Sequence, residues 1–126
     1  MIKILLLEDE EPAAKRLQKL LSECEEETEV IAVLDSITAA QQWLGKHPEP
    51  DLMLVDIHLA DGISLELFKQ TEIQAPVIFI TAYDKYELQA FKLNSIDYLL
   101  KPVKKDELFQ ALAIFKKKKK KNPPLN

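Results

Sequence analysis

Apolar and polar positions follow two periods along this chain, and the switches between them mark its elements. Ile2–Leu7 is a short apolar run rich in branched residues, the pattern of a strand covered on both faces. Pro12 then falls where the first turn of a helix tolerates it, because its missing N–H has no helical partner there. Leu17, Leu20, Leu21 and Cys24 recur at helical spacing behind it, which predicts Cys24 as a buried small hydrophobe. Glu29–Leu34 predicts a second strand. Ser36 reads as an N-cap for a helix whose stripe is Ile37, Ala40 and Leu44, ending near Gly45. Trp43, at helical spacing from Ala39 and Ala40, reads as packing.

Leu52–Val55 gives the third strand, and Asp61-Gly62 marks a turn before a helix carrying Leu65 and Phe68. Pro76 precedes the fourth strand, Val77–Ile80. Tyr83–Leu93 reads as a helix and Ile96–Leu100 as the fifth strand. Asp106–Lys117 reads as the last helix, with Leu108, Leu112 and Phe115 inward. Five strands alternating with helices predict an α/β (βα)5 domain, a doubly wound parallel sheet with helices on both faces and right-handed crossovers.

Composition limits the function classes. A chain of 126 residues makes one domain with a real core. No apolar stretch approaches the ~20 residues of a membrane span, and Met1-Ile2-Lys3-Ile4 runs straight into a strand unlike a signal peptide, so the expected location is the cytoplasm. The single cysteine excludes an intramolecular disulfide or a cysteine-based zinc site. Two histidines eleven positions apart, His47 and His58, form no metal-ligand spacing. Of the 17 basic residues six are Lys116–Lys121, which leaves 11 against 21 acids in the rest. A body that acidic binds nucleic acid poorly by itself. The lysine run reads as a solvated helix end, stopped by Asn122-Pro123-Pro124.

The chemistry gathers at the strand ends. Glu8 and Asp9 follow the first strand, Asp56 closes the third, Thr81 the fourth, and Lys101-Pro102 follows the fifth. In open α/β sheets, groups at the carboxyl ends converge on one crevice. Paired acids with a third from another strand are hard oxygen donors of the kind Mg2+ takes. Aspartate serves elsewhere as a nucleophile that forms an acyl phosphate. Lysine is a compact charge for a phosphoryl oxygen, and Thr81 offers a hydroxyl to another. Glu10 and Glu11 read as acids that complement a helix dipole. With only Gly45 and Gly62, the chain has no Gly-rich phosphate loop.

The stretches Leu7-Glu8-Asp9-Glu10, Leu54-Val55-Asp56-Ile57, Ile80-Thr81-Ala82 and Asp97-Tyr98-Leu99-Leu100-Lys101-Pro102 resemble a response-regulator receiver domain over residues 1 to 117. The resemblance implies a flavodoxin-like sheet of strand order 2-1-3-4-5. It implies Mg2+ at Glu8, Asp9, Asp56 and the main-chain carbonyl of His58, with Asp56 the phosphoacceptor. It further implies Thr81 and Tyr98 as the switch pair, Lys101 as the phosphate-facing lysine, and a cis Lys101-Pro102 bond. Glu8 stands where many members have aspartate. His58 and Tyr83, two positions past Asp56 and Thr81, would shield the acyl phosphate and lengthen its life.

Glu8-Asp9-Glu10-Glu11-Pro12-Ala13-Ala14 and the run from Thr81 to Phe91 are similar to regulators of the LytTR type, which carry a DNA-binding output domain. Residues 118–126 then read as a Lys/Pro-rich tail or the start of a linker, with DNA bound only through an output domain absent from this chain. The implied partner is a sensor histidine kinase. A homodimer through the fourth helix, fifth strand and fifth helix is also implied, and no membrane. The domain would catalyse its own phosphorylation and dephosphorylation and not turn over a substrate. Competing readings are a stand-alone receiver acting as a protein-protein interaction module, a phosphohydrolase, and a nucleic-acid binder through the lysine run. His58 stands where aspartyl-phosphate hydrolases place a second acid, which disfavours the phosphohydrolase.

Overall fold

In the computed structural model, which describes residues 1–25, 27–82 and 95–121, every apolar run read as a strand forms one. These are β1 (Ile2–Leu7), β2 (Thr28–Leu34), β3 (Leu52–Asp56), β4 (Val77–Thr81) and β5 (Ser95–Leu100). They make one sheet in the spatial order β2-β1-β3-β4-β5, every neighbouring pair parallel. The predicted order therefore holds. After β2 the chain returns past β1 to lay down β3 on its other side, so the connections leaving β1 and β3 diverge and open a crevice at their carboxyl ends.

Alternation along the strands splits the core into two layers. Ile4, Leu6, Leu52, Leu54, Ile78 and Ile80 face α1 (Glu11–Ser22) and the C-terminal helix (Lys105–Lys121), where they meet Leu17, Leu21, Leu108 and Leu112. Leu5, Leu7, Met53, Val55, Val77 and Phe79 face the other way, toward α2 (Ile37–Leu44) and α3 (Leu65–Gln70). Each fully buried aliphatic side chain contributes roughly 1.5–3 kcal/mol, and the three central strands hold almost nothing else. Phe79 adds an edge-to-face contact with Phe68, ring centroids 5.6 Å apart.

The helix ends follow local chemistry. Pro12 lies in the first turn of α1, and the Ser36 hydroxyl oxygen accepts a hydrogen bond from the Ala39 N–H at 3.0 Å to cap α2. Trp43 packs against the core as predicted, with His47 stacked on it at 4.3 Å.

Three details differ from the pattern reading and one agrees with it. α1 ends at Ser22, so Cys24 lies past the helix and is half-buried against the core. Gly45 does end α2, but at φ −73°, without using its left-handed freedom. The C-terminal helix runs on to Lys121, because lysine is a good helix former and no breaker stands before Pro123. A short antiparallel ribbon, His58–Leu59 with Gly62–Ile63, follows β3; strands of two residues are too short to show a period. The helix expected over Tyr83–Leu93, and Tyr83 itself, lie outside the described residues.

Candidate functional site

The crevice at the carboxyl ends of β1 and β3 gathers side chains from three strand ends. Asp56 is the last residue of β3 and is buried in the sheet's middle. Its Oδ2 lies 2.8 Å from Lys101 Nζ, and its Oδ1 accepts the His58 N–H at 3.1 Å. Glu8 leaves β1 buried, its own N–H donating to the Leu34 carbonyl at 2.9 Å. Its Oε1 lies 2.9 Å from the same Lys101 ammonium, and its Oε2 accepts the Glu10 N–H at 3.2 Å.

Lys101 is aimed by the backbone around it. Its N–H donates to the Thr81 carbonyl at 2.8 Å, which continues the β4–β5 ladder past the strand end. A cis peptide joins it to Pro102, and the Arg16 guanidinium donates to the Val103 carbonyl at 2.7 Å. The loop behind Lys101 is thereby tied to α1. A cleft of about 420 Å³ opens beside it, lined by Pro12, Arg16, Leu17, Pro102 and Val103 among others.

The electrostatics follow from burial. Loss of water pushes the Glu8 carboxyl up to about 7; the neighbouring Asp56 adds to the rise, and the Lys101 contact opposes it. For Lys101 burial disfavours the ammonium, but the bonds to Asp56 and Glu8 outweigh it and hold the group above an ordinary lysine. Ligand oxygens of Glu8, Asp9, Glu10 and Asp56 lie within 4.8 Å of one another. Three of these carboxylates, from Glu8, Glu10 and Asp56, share the one Lys101 ammonium. Hard oxygen donors, part buried and part open to solvent, fit a small divalent cation that retains waters.

The structure thus brings together Glu8, Asp9, Asp56 and Lys101. Thr81 closes the adjacent strand and is fully buried. Tyr98 pairs in register with Phe79 and lies half-buried against the layer beneath α2 and α3. Glu10 is the residue the pattern missed. Its Oε1 lies 3.2 Å from Lys101 Nζ, whereas Glu11 pairs with Lys15 on the solvent face of α1. Four acids in succession look alike in sequence. The one signal separating them is that Glu10 is the N-cap of α1 and Glu11 already belongs to the helix.

Comparison with known proteins agrees with this fold. The family model described as response regulator receiver domain matches residues 4–113. The chain is similar to the sensory transduction protein LytT of Bacillus anthracis, 37% identical over 122 residues, covering 94% of this chain and 49% of that protein. LytT of Enterococcus faecalis is 38% identical over 86% of this chain and 46% of its own length. The chain thus spans about half the length of the curated relatives it matches. In structure it resembles the response regulatory domain of mrkE from Klebsiella pneumoniae, with a TM-score of 0.82 at 23% identity over 95% of this chain and 99% of that one.

Proposed function

The chain belongs to the response regulator receiver domain family, and on that premise we propose that Asp56 accepts a phosphoryl group from a phosphohistidine of a partner sensor histidine kinase. The observation that carries the reading is the contact of one buried carboxylate, Asp56, with one half-shielded ammonium, Lys101, inside a group of acids. An Asp56 oxygen attacks phosphorus, the P–N bond breaks, and its electron pair returns to the imidazole. Lys101, already 2.8 Å from Asp56, stays beside the transferred group and offsets its charge. Glu8, Asp9, Asp56 and the main-chain carbonyl of His58 would hold Mg2+. When bound, that ion neutralises the acids and the incoming phosphoryl oxygens.

Phosphorylation acts here as a local charge change biasing an element with two arrangements. Thr81 moves its hydroxyl toward the phosphoryl group, and Tyr98 follows into the space released. The surface around β5 and the C-terminal helix changes with it and becomes the site of homodimer contact. Residues 1–117 are the receiver unit of a cytoplasmic signalling module that does not turn over a substrate. In the whole protein a LytTR-type DNA-binding domain would read out the switch, since the LytT relatives are about twice as long. Among the described residues no helix is long and apolar enough to cross a membrane.

The test is intact mass after incubation with acetyl phosphate and Mg2+, with Asp56→Asn alongside. The expected result is a gain of one phosphoryl group, lost in Asp56→Asn and on chelation of the metal. A gain that survives in Asp56→Asn would reject Asp56 as acceptor.

A further inference from the structure

We propose that Asp61 is a positioning residue for the site, clamping the loop after Asp56, and with it the His58 carbonyl, to the N-terminus of α2. The proposal rests on the reading of His58 as a main-chain metal ligand given above. The loop from Ile57 to Ser64 is fastened at its inner end. The Ile57 N–H donates to the Ile80 carbonyl at 2.9 Å, the His58 N–H to Asp56 at 3.1 Å, and the Ser64 N–H back to the Ile57 carbonyl at 2.7 Å. What lies between is a ribbon of two residues a side. An isolated ribbon that short is not stable in water.

Its outer end is held by Asp61. Oδ1 accepts the Ile37 N–H at 2.7 Å; Oδ2 accepts the Thr38 N–H at 3.1 Å and the Thr38 hydroxyl at 2.9 Å. The neighbouring Ala60 N–H donates to the Asp35 carbonyl at 3.3 Å. A helix start leaves its first N–H groups without intrahelical partners and favours a negative charge. The Ser36 hydroxyl takes the Ala39 N–H and the Ser36 carbonyl the Ala40 N–H. The other two N–H groups are left to a carboxylate more than twenty positions away, which makes the contact tertiary. α2 is itself anchored by buried Ile37 and Ala40. Gly62, at φ +139°, lets the chain turn under this contact, where a Cβ would meet Ile37 Cδ1 at 3.5 Å.

Asp61 belongs to none of the acid contacts at Lys101, so its effect must pass through the loop. Groups that orient a metal's ligands typically change metal affinity 10–100-fold when removed. Asp61→Ala is therefore expected to weaken Mg2+ binding about tenfold, read from the shifts of the Ile57 and His58 amides during Mg2+ titration. Ser36→Ala is the control, since it removes a cap from the same helix without touching the loop. Asp61→Asn, which keeps one acceptor oxygen, should recover part of the affinity.

An Asp61→Ala affinity within twofold of the parent, or an equal loss in Ser36→Ala, would overturn the clamp. If the parent amides do not respond to Mg2+ at all, the metal reading fails and hydrogen exchange decides the clamp separately. Faster exchange of the His58 and Ser64 amides in Asp61→Ala alone sustains it, and unchanged exchange rejects it.

Discussion

Replacing Glu8 by glutamine should make this protein more stable at pH 8 in the absence of divalent metal. The carboxyl is raised from 4.5 to about 7, chiefly because burial disfavours its charge. A folded state that holds a proton more tightly than the unfolded chain is most stable below pH 4.5 and loses that advantage as pH rises through 7. A rise of that size corresponds to on the order of 3 kcal/mol. The Glu8 side chain has no exposed surface, so solvent screening does not reduce the figure.

Glutamine has the shape of the protonated acid and no charge to bury. In urea unfolding with a chelator present, the two proteins should match near pH 4.5. They should separate by on the order of 3 kcal/mol at pH 8, the variant being more stable. Mg2+ at a hundred times its dissociation constant should then raise the parent by about 2.7 kcal/mol and largely close the gap. A parent more stable than Glu8→Gln at pH 8 without metal would refute the reasoning. So would a difference that does not change with pH. Either result would mean that Lys101 compensates Glu8 fully.

Three further outcomes are expected. Ser64 is fully buried and its hydroxyl finds no hydrogen-bond partner among the described residues, so Ser64→Ala should leave the unfolding midpoint unchanged or raised, where removal of a bonded hydroxyl would cost about 1 kcal/mol. Gly62→Ala, at a backbone angle L-residues avoid, should cost about 1–3 kcal/mol in urea titration. Asp61 is held below the usual carboxylate range by the N–H groups of Ile37 and Thr38. Its stabilisation is therefore present above pH 3.8 and lost as pH falls through the lowered value. An acid titration should show parent and Asp61→Asn converging at the lowest pH, and curves that stay parallel would reject the coupling.

Much of the site was legible because strand ends are local events. An apolar run closed by Asp56, or followed by Glu8 or Lys101, announces both a strand and the residue at its mouth. The parallel sheet then forces those mouths together. Glu10 was not legible, since its difference from Glu11 is one of direction, decided where α1 begins. Asp61 was legible as a turn residue, but its contacts were not, because its partners, Ile37 and Thr38, lie more than twenty positions earlier.

The sequence by itself determined the five strands, the two-layered core and the identity of the acids, lysine and hydroxyl at the strand ends. Those follow from periodicity and propensity, which act between near neighbours along the chain. Only the tertiary structure decided the raised proton affinity of Glu8, the threefold contact of Lys101 and the contacts of Asp61 with the start of α2. Each depends on loss of water or on hydrogen bonds between residues far apart in sequence. Such energies exist only after the sheet has closed around them.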